Sequence, residues 1–116
     1  MIARPKHDYI RSKKLMETYR KIDCQHCGAD DGTVCGAHTN FGEGKGMGRK
    51  ANDNRCASLC HSCHMELDQG KSLTKEERQD LWQIAHRKTV QKLVSLKLWP
   101  QTVPVPDLRR YYELED

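Results

Sequence analysis

The sequence predicts a small α+β fold stapled by one structural Zn²⁺: two short strands and a helix, with a further helix on each side. Three observations predict it. Two CxxC pairs, Cys24/Cys27 and Cys60/Cys63, offer four thiolates from two tight turns. The chain has 116 residues and a mean hydropathy of −0.88, which leaves one modest domain with a thin core that a metal would help to hold. The apolar residues fall into short β-leaning runs and longer runs with a helical period.

The elements follow in order. Residues 8–20 put Tyr9, Leu15, Met16 and Tyr19 near helical spacing and predict a short helix. Cys24 to Cys27 then makes a tight turn, with Gly28 just after it. Residues 33–38 and 55–59 are short and β-leaning. Residues 39–54 between them read as a loop, in which Gly42, Gly44, Gly46 and Gly48 are interleaved with Lys45 and followed by Arg49 and Lys50. Cys60 to Gly70 predicts a helix. Thr74 to Glu77 matches a capping box, Thr at the N-cap and Glu three residues on. A long helix runs from there to about Trp99, with Leu81, Trp82, Ala85, Thr89, Val90, Leu93, Val94 and Leu96 on one apolar stripe. Pro100, Pro104 and Pro106 end it. Residues 1–99 thus form a single domain, and residues 100–116 a Pro-containing acidic tail.

Composition excludes several classes. No apolar run approaches the ~18 residues of a membrane span. The first residues are basic but lack the apolar stretch of a secretory signal. The cytoplasm is therefore the expected location, where six cysteines read as metal ligands or free thiols rather than disulfides. The formal charge is +4 and the pI about 8.8, which fits a polyanionic partner without requiring one. The positive charge is concentrated at the front, in Arg4, Lys6, Arg11, Lys13, Lys14, Arg20 and Lys21.

Two CxxC pairs meet the needs of tetrahedral Zn²⁺, which takes four thiolates at about 2.3 Å. Cys35 and Cys56 stand alone in the two β-leaning runs and read as small buried hydrophobes. A second constellation lies beside the knuckle. His64 directly follows Cys63, and Asp68 lies four residues further on. On a helix the two share one face, a turn apart, where they could hold a divalent cation and leave coordination positions open. Metal-assisted hydrolysis needs such open positions. His38 ends the first β-leaning run and suits a general base that activates water. An isolated histidine is more often a packing or surface residue. Here the cysteines tie the His64 helix to the knuckle, and the combination carries the weight. The glycine-rich loop lets backbone approach a phosphate, with Lys45, Arg49 and Lys50 supplying charge. A flexible solvated loop would have the same composition.

These residues resemble the HNH (ββα-metal) endonucleases, and most of all their small phage and prophage, YbcO-like members. The resemblance covers residues 22–70. It is carried by Cys24-Gln-His-Cys27, by Ala37-His38-Thr39-Asn40, by Gly44 through Ala51 with Asp53, by Leu59-Cys60-His-Ser-Cys63-His64, and by Asp68-Gln-Gly70. It implies a β-hairpin-plus-helix finger with structural zinc at its base. His38 matches the general base. His64 matches a ligand of the catalytic divalent cation, Mg²⁺ or Mn²⁺, and Asp68 a position often held by a second metal-ligating His. The middle Asn of the family orients the base. Asp53 and Asn54 are the candidates here, Asn54 lying one residue off the usual register. Ala37 stands where many members carry an Asp or His ligand.

The expected function is metal-dependent hydrolysis of DNA phosphodiester bonds with low sequence specificity. The expected setting is phage or prophage DNA processing or recombination in a bacterial cytoplasm. Two other readings use the same fold. One is a non-catalytic zinc module that binds DNA or a protein, which Ala37 favours. The other is an adaptor that uses the long helix to bind a partner. Monomer and homodimer both fit the sequence.

Overall fold

The computed structural model describes residues 10–38, 52–69 and 72–106. The fold is small and α+β, with a two-stranded antiparallel hairpin, three α-helices and a cluster of four cysteines that could bind a metal. In chain order these are α1 (Lys13–Thr18), a 3₁₀ turn (Tyr19–Lys21), β1 (Cys35–His38), β2 (Cys56–Leu59), α2 (His61–Gln69) and α3 (Lys75–Ser95). No helix among the described residues is long and apolar enough to cross a membrane. Lys45, Arg49 and Lys50 of the glycine-rich loop lie outside the described residues.

Helix α1 starts later than the periodicity predicts. Ser12 is extended and caps it, its Oγ accepting from Leu15 N at 3.0 Å. Ile10 and Ser12 spend their backbone groups elsewhere. Ile10 N donates to Asn52 Oδ1 at 2.9 Å, Ile10 O accepts from Asp53 N at 2.8 Å, and Ser12 N donates to Asp53 Oδ2 at 2.8 Å. The N-terminal segment thereby grips the loop ahead of β2, a use of backbone that helical spacing does not encode.

In the hairpin, Cys35 lies opposite Leu59 and His38 opposite Cys56. The outer edge of β2 is closed by groups from other elements. On α3, Thr89 Oγ1 accepts from Ser58 N at 2.9 Å and His86 Nδ1 donates to Cys56 O at 2.8 Å. From the knuckle, Gln25 N donates to Ser58 O at 2.9 Å. All four β2 residues are buried. The two faces of the hairpin carry two apolar clusters. Ala37, Ala57 and Leu59 belong to one with Leu67, Trp82 and Ala85. Cys56 belongs to the other with Leu15, Tyr19, Ile22, Leu93 and Val103. Gly36 faces the second cluster, since a Cβ there would stand 2.6 Å from Tyr19 Cδ2.

Helix α3 begins at the predicted capping box, with Thr74 and Glu77 bonded reciprocally. It stops at Ser95, short of the expected end near Trp99. Lys97 adopts φ 62°, Leu98 N donates to Leu93 O and Lys97 N to Val94 O, a Schellman stop. The left-handed residue costs about 1 kcal/mol without glycine, offset because the turn packs Leu98 and Trp99 onto the cluster that holds Leu93. The stop falls before the first of the prolines, Pro100. The stripe also differs from expectation. Val94 and Leu96 are 45% and 52% exposed, while His86 is fully buried and stacked on Trp82 at 4.6 Å. Val94 lies at the margin of the buried stripe and Leu96 is the C-cap, while the Nδ1 bond to Cys56 O and the stack on Trp82 hold the histidine inside. Beyond the stop the chain folds back: Val103 is buried and Trp99 Nε1 donates to its carbonyl. The first residues of the expected tail thus pack with the domain.

Candidate metal centre and candidate active site

Cys24 and Cys27 sit on one tight turn, closed by Gly28 N donating to Cys24 O at 2.9 Å and by Gly28 at φ 84°. Cys60 lies at the mouth of α2, and Cys63 in its first turn. The four Sγ atoms all lie within 4.8 Å of one another, and Cys27 Sγ is 3.6 Å from Cys60 Sγ. Tetrahedral zinc with Zn–S bonds of about 2.3 Å sets its sulfurs about 3.8 Å apart, so the four cysteines are compatible with a structural zinc site. Burial raises the Cys24 thiol. Backbone N–H groups of Cys27, Cys60 and His26 outweigh that and hold it down at about 6, as a metal-binding thiolate requires. Cys63 is pushed well up, by burial and by its three sulfur neighbours. Thiols this crowded compete for one charge, and a dication removes the competition.

His38, at the end of β1, approaches Asp53, with His38 Nε2 3.0 Å from Asp53 Oδ1. Asp53 is held from several sides. Its Oδ2 accepts from Ser12 N, its backbone carbonyl accepts from Tyr19 Oη at 2.6 Å, and Arg11 Nη1 is 3.8 Å from its Oδ1. The carboxylate side chain is 11% exposed, that of His38 36%. A carboxylate oxygen accepts, so His38 Nε2 donates to Asp53, which leaves Nδ1 as the ring nitrogen not engaged by that carboxylate. Of the two residues considered for orienting His38, Asp53 makes the bond. Asn54 turns away, its Nδ2 donating to Pro104 O at 3.0 Å, and it is 6% exposed.

His64 and Asp68 meet on one face of α2, with His64 Nε2 3.2 Å from Asp68 Oδ2. Two neighbouring ligands of an octahedral cation, each at about 2.1 Å, stand about 3.0 Å apart, so the pair fits two positions of such a site. Ala37 is fully buried in the apolar cluster with Leu67 and Trp82 and offers no ligand. Cys56 behaves as the expected buried hydrophobe, its thiol pushed well up by burial and by the Asp53 charge. Cys35 does not. It is half-buried, with its Sγ 3.8 Å from His64 Nδ1. No spacing in the sequence signals that contact, or the hold of Ser12 and Tyr19 on Asp53. Residues 35 and 38 stand about 10 Å apart along β1, which carries a member of each group.

Comparisons of the chain with protein-family models, with curated proteins and with solved structures find no match. Functional inference therefore rests on the chain's own residues.

Proposed function

We propose that this protein is a metal-dependent DNA endonuclease of the HNH (ββα-metal) type. The observation that carries it is the His38–Asp53 pair, with His38 Nε2 committed to a fixed carboxylate and Nδ1 left as the basic atom. In the proposed reaction His38 Nδ1 takes a proton from water. The oxygen of that water bonds to phosphorus, the bond from phosphorus to the 3′ oxygen breaks with its electron pair going to that oxygen, and the oxygen takes a proton from solvent water. The products carry a 5′ phosphate and a 3′ hydroxyl, as the family resemblance implies. A divalent cation on His64 and Asp68 would polarise the phosphate and neutralise charge on the leaving oxygen. Asp53 holds the ring and stabilises the imidazolium that forms. Exposed Arg11, Lys13, Lys14, Arg20 and Lys21 lie along and beside α1 and would meet backbone phosphates. Such contacts position DNA without reading its sequence. The setting that goes with this activity is phage or prophage DNA in a bacterial cytoplasm.

Burial of Ala37 at a usual ligand position favours one other function, a zinc module that binds DNA without cutting it. A supercoiled-plasmid assay in Mg²⁺ or Mn²⁺ separates the two, run on the parent and on His38→Ala with zinc content measured in both. Nicking or linearisation by the parent and none by an equally zinc-loaded variant supports the nuclease. If neither cuts but the parent retards DNA on a gel, the protein is a binding module.

A further inference from the structure

Cys35 reads in the sequence as a small buried hydrophobe, yet its thiol faces an imidazole. The hairpin register and the start of α2 bring the two together. Cys35 pairs in register with Leu59, and Leu59 leads through Cys60 into α2, whose first turn carries His64. His64 N donates to Cys60 O at 2.9 Å, and the cysteine cluster fixes Cys60 and Cys63. His64 is therefore held over the first residue of β1.

The ring uses its two nitrogens on two different partners. Nδ1 is 3.8 Å from Cys35 Sγ, and Nε2 is 3.2 Å from Asp68 Oδ2. Cys35 and Asp68 thus lie at opposite corners of one imidazole, and a single cation on Nε2 has Asp68, not Cys35, beside it. This geometry makes Cys35 a poor ligand but a good support. Histidines that bind metals usually give their second nitrogen to a neighbouring acceptor, which fixes the ring and the tautomer.

We propose that Cys35 is a positioning residue, holding His64 Nδ1 so that Nε2 faces Asp68 and a divalent cation. The proposal rests on the reading of His64 and Asp68 as cation ligands. A thiol suits this place because it both donates and accepts. Without a cation, Nε2–H points to the Asp68 carboxylate and the thiol S–H points to Nδ1. With a cation on Nε2, the ring proton resides on Nδ1 and points to sulfur. The ring keeps a partner in both states, no proton is gained or lost, and its orientation stays the same.

The test is Mn²⁺ binding to the zinc-loaded full chain, followed by electron paramagnetic resonance of the free ion. The variants are Cys35→Val, Cys35→Ser and His64→Ala. Cys35→Val fills the site but removes the hydrogen-bonding group, and should weaken Mn²⁺ by about 10- to 100-fold. Cys35→Ser keeps a donor and acceptor and should recover most of the affinity. Zinc content and Tm should be alike in the two. Cys35→Val binding Mn²⁺ as tightly as the parent, while His64→Ala binds it poorly, overturns the proposal and leaves the cation site standing. His64→Ala binding as tightly as the parent removes the cation site and this proposal with it. A direct readout covers a variant that folds badly. In ¹⁵N spectra of the parent, Mg²⁺ should move the His64 ring proton from Nε2 to Nδ1, and no such move removes the cation site and this proposal with it.

Discussion

Asp53→Asn should leave the fold intact and disable the proposed base by moving one proton. Asp53 Oδ2 accepts from Ser12 N at 2.8 Å and Oδ1 faces His38 Nε2 at 3.0 Å. An asparagine has one acceptor and one donor for these two places. The backbone N–H of Ser12 cannot change its role, so the amide oxygen goes to Ser12 and the NH₂ to His38. Nε2 must then accept, and the ring proton shifts to Nδ1, the atom that has to receive the proton of water. The reversed amide would set two donors against each other in a site that is 11% exposed. An unsatisfied buried donor costs about 1–3 kcal/mol, which leaves between roughly one molecule in five and one in a hundred or fewer with the useful tautomer. Loss of the charge that stabilises the imidazolium adds to this, for a total of about 10²- to 10⁴-fold in rate. The fold should hold, because Tyr19 Oη and Ile10 O bond the backbone of residue 53 and not its side chain. The assay is the initial rate of plasmid nicking at equal zinc content. Asn54→Ala serves as the contrast, since among the described residues its side chain bonds to Pro104 O and not to His38, and it should cut nearly as fast as the parent. An Asp53→Asn protein that also cuts at nearly the parent rate, while His38→Ala is inactive, refutes the orienting role of Asp53.

Two further predictions concern the scaffold. Burial holds His86 down to about 4 from its ordinary 6.5, the nearby Arg55 charge adds to this, and the bond to Cys56 O opposes it. Above pH 6.5 the ring is neutral folded or unfolded and contributes no pH dependence. As pH falls from 6.5 to about 4, only the unfolded chain takes the proton, and about 3 kcal/mol of stability is lost. Urea unfolding of the parent and of His86→Gln should show a shallower acid slope in the variant, and parallel slopes would contradict the assignment. Gly36→Ala should lower stability by about 2 kcal/mol, or roughly 10 °C in Tm, because its Cβ would lie 2.6 Å from Tyr19 Cδ2 and 3.3 Å from Met16 Cε. Since Tyr19 also holds the Asp53 carbonyl, any residual activity should fall too, and a calorimetric Tm equal to the parent's would show that the ring has room to move.

Much of the scaffold was legible because it is encoded locally. The two CxxC turns, the strands and the capping box each depend on residues a few positions apart, and spacing alone reports them. The four cysteines converge as expected, close enough together that one metal ion could take all four. Helix ends were less legible. At Ser12 and Lys97, backbone groups are claimed by Asp53 and by a turn that packs Leu98, and neither claim is visible in the period of the apolar residues.

The candidate site divides the same way. By sequence, His64 and Asp68 fall one helical turn apart, and they do meet. Whether Asp53 or Asn54 would reach His38 depended on the loop ahead of β2, which is gripped by Ile10, Ser12 and Tyr19 from one side and by Pro104 from the other. The same is true of Cys35, which meets His64 across the hairpin register, and of His86, which closes the edge of β2. Sequence by itself determined the residue types and pairings that spacing sets within one element, such as His64 with Asp68. Only the tertiary structure decided pairings between elements, because strand register and helix docking choose which side chains share a face.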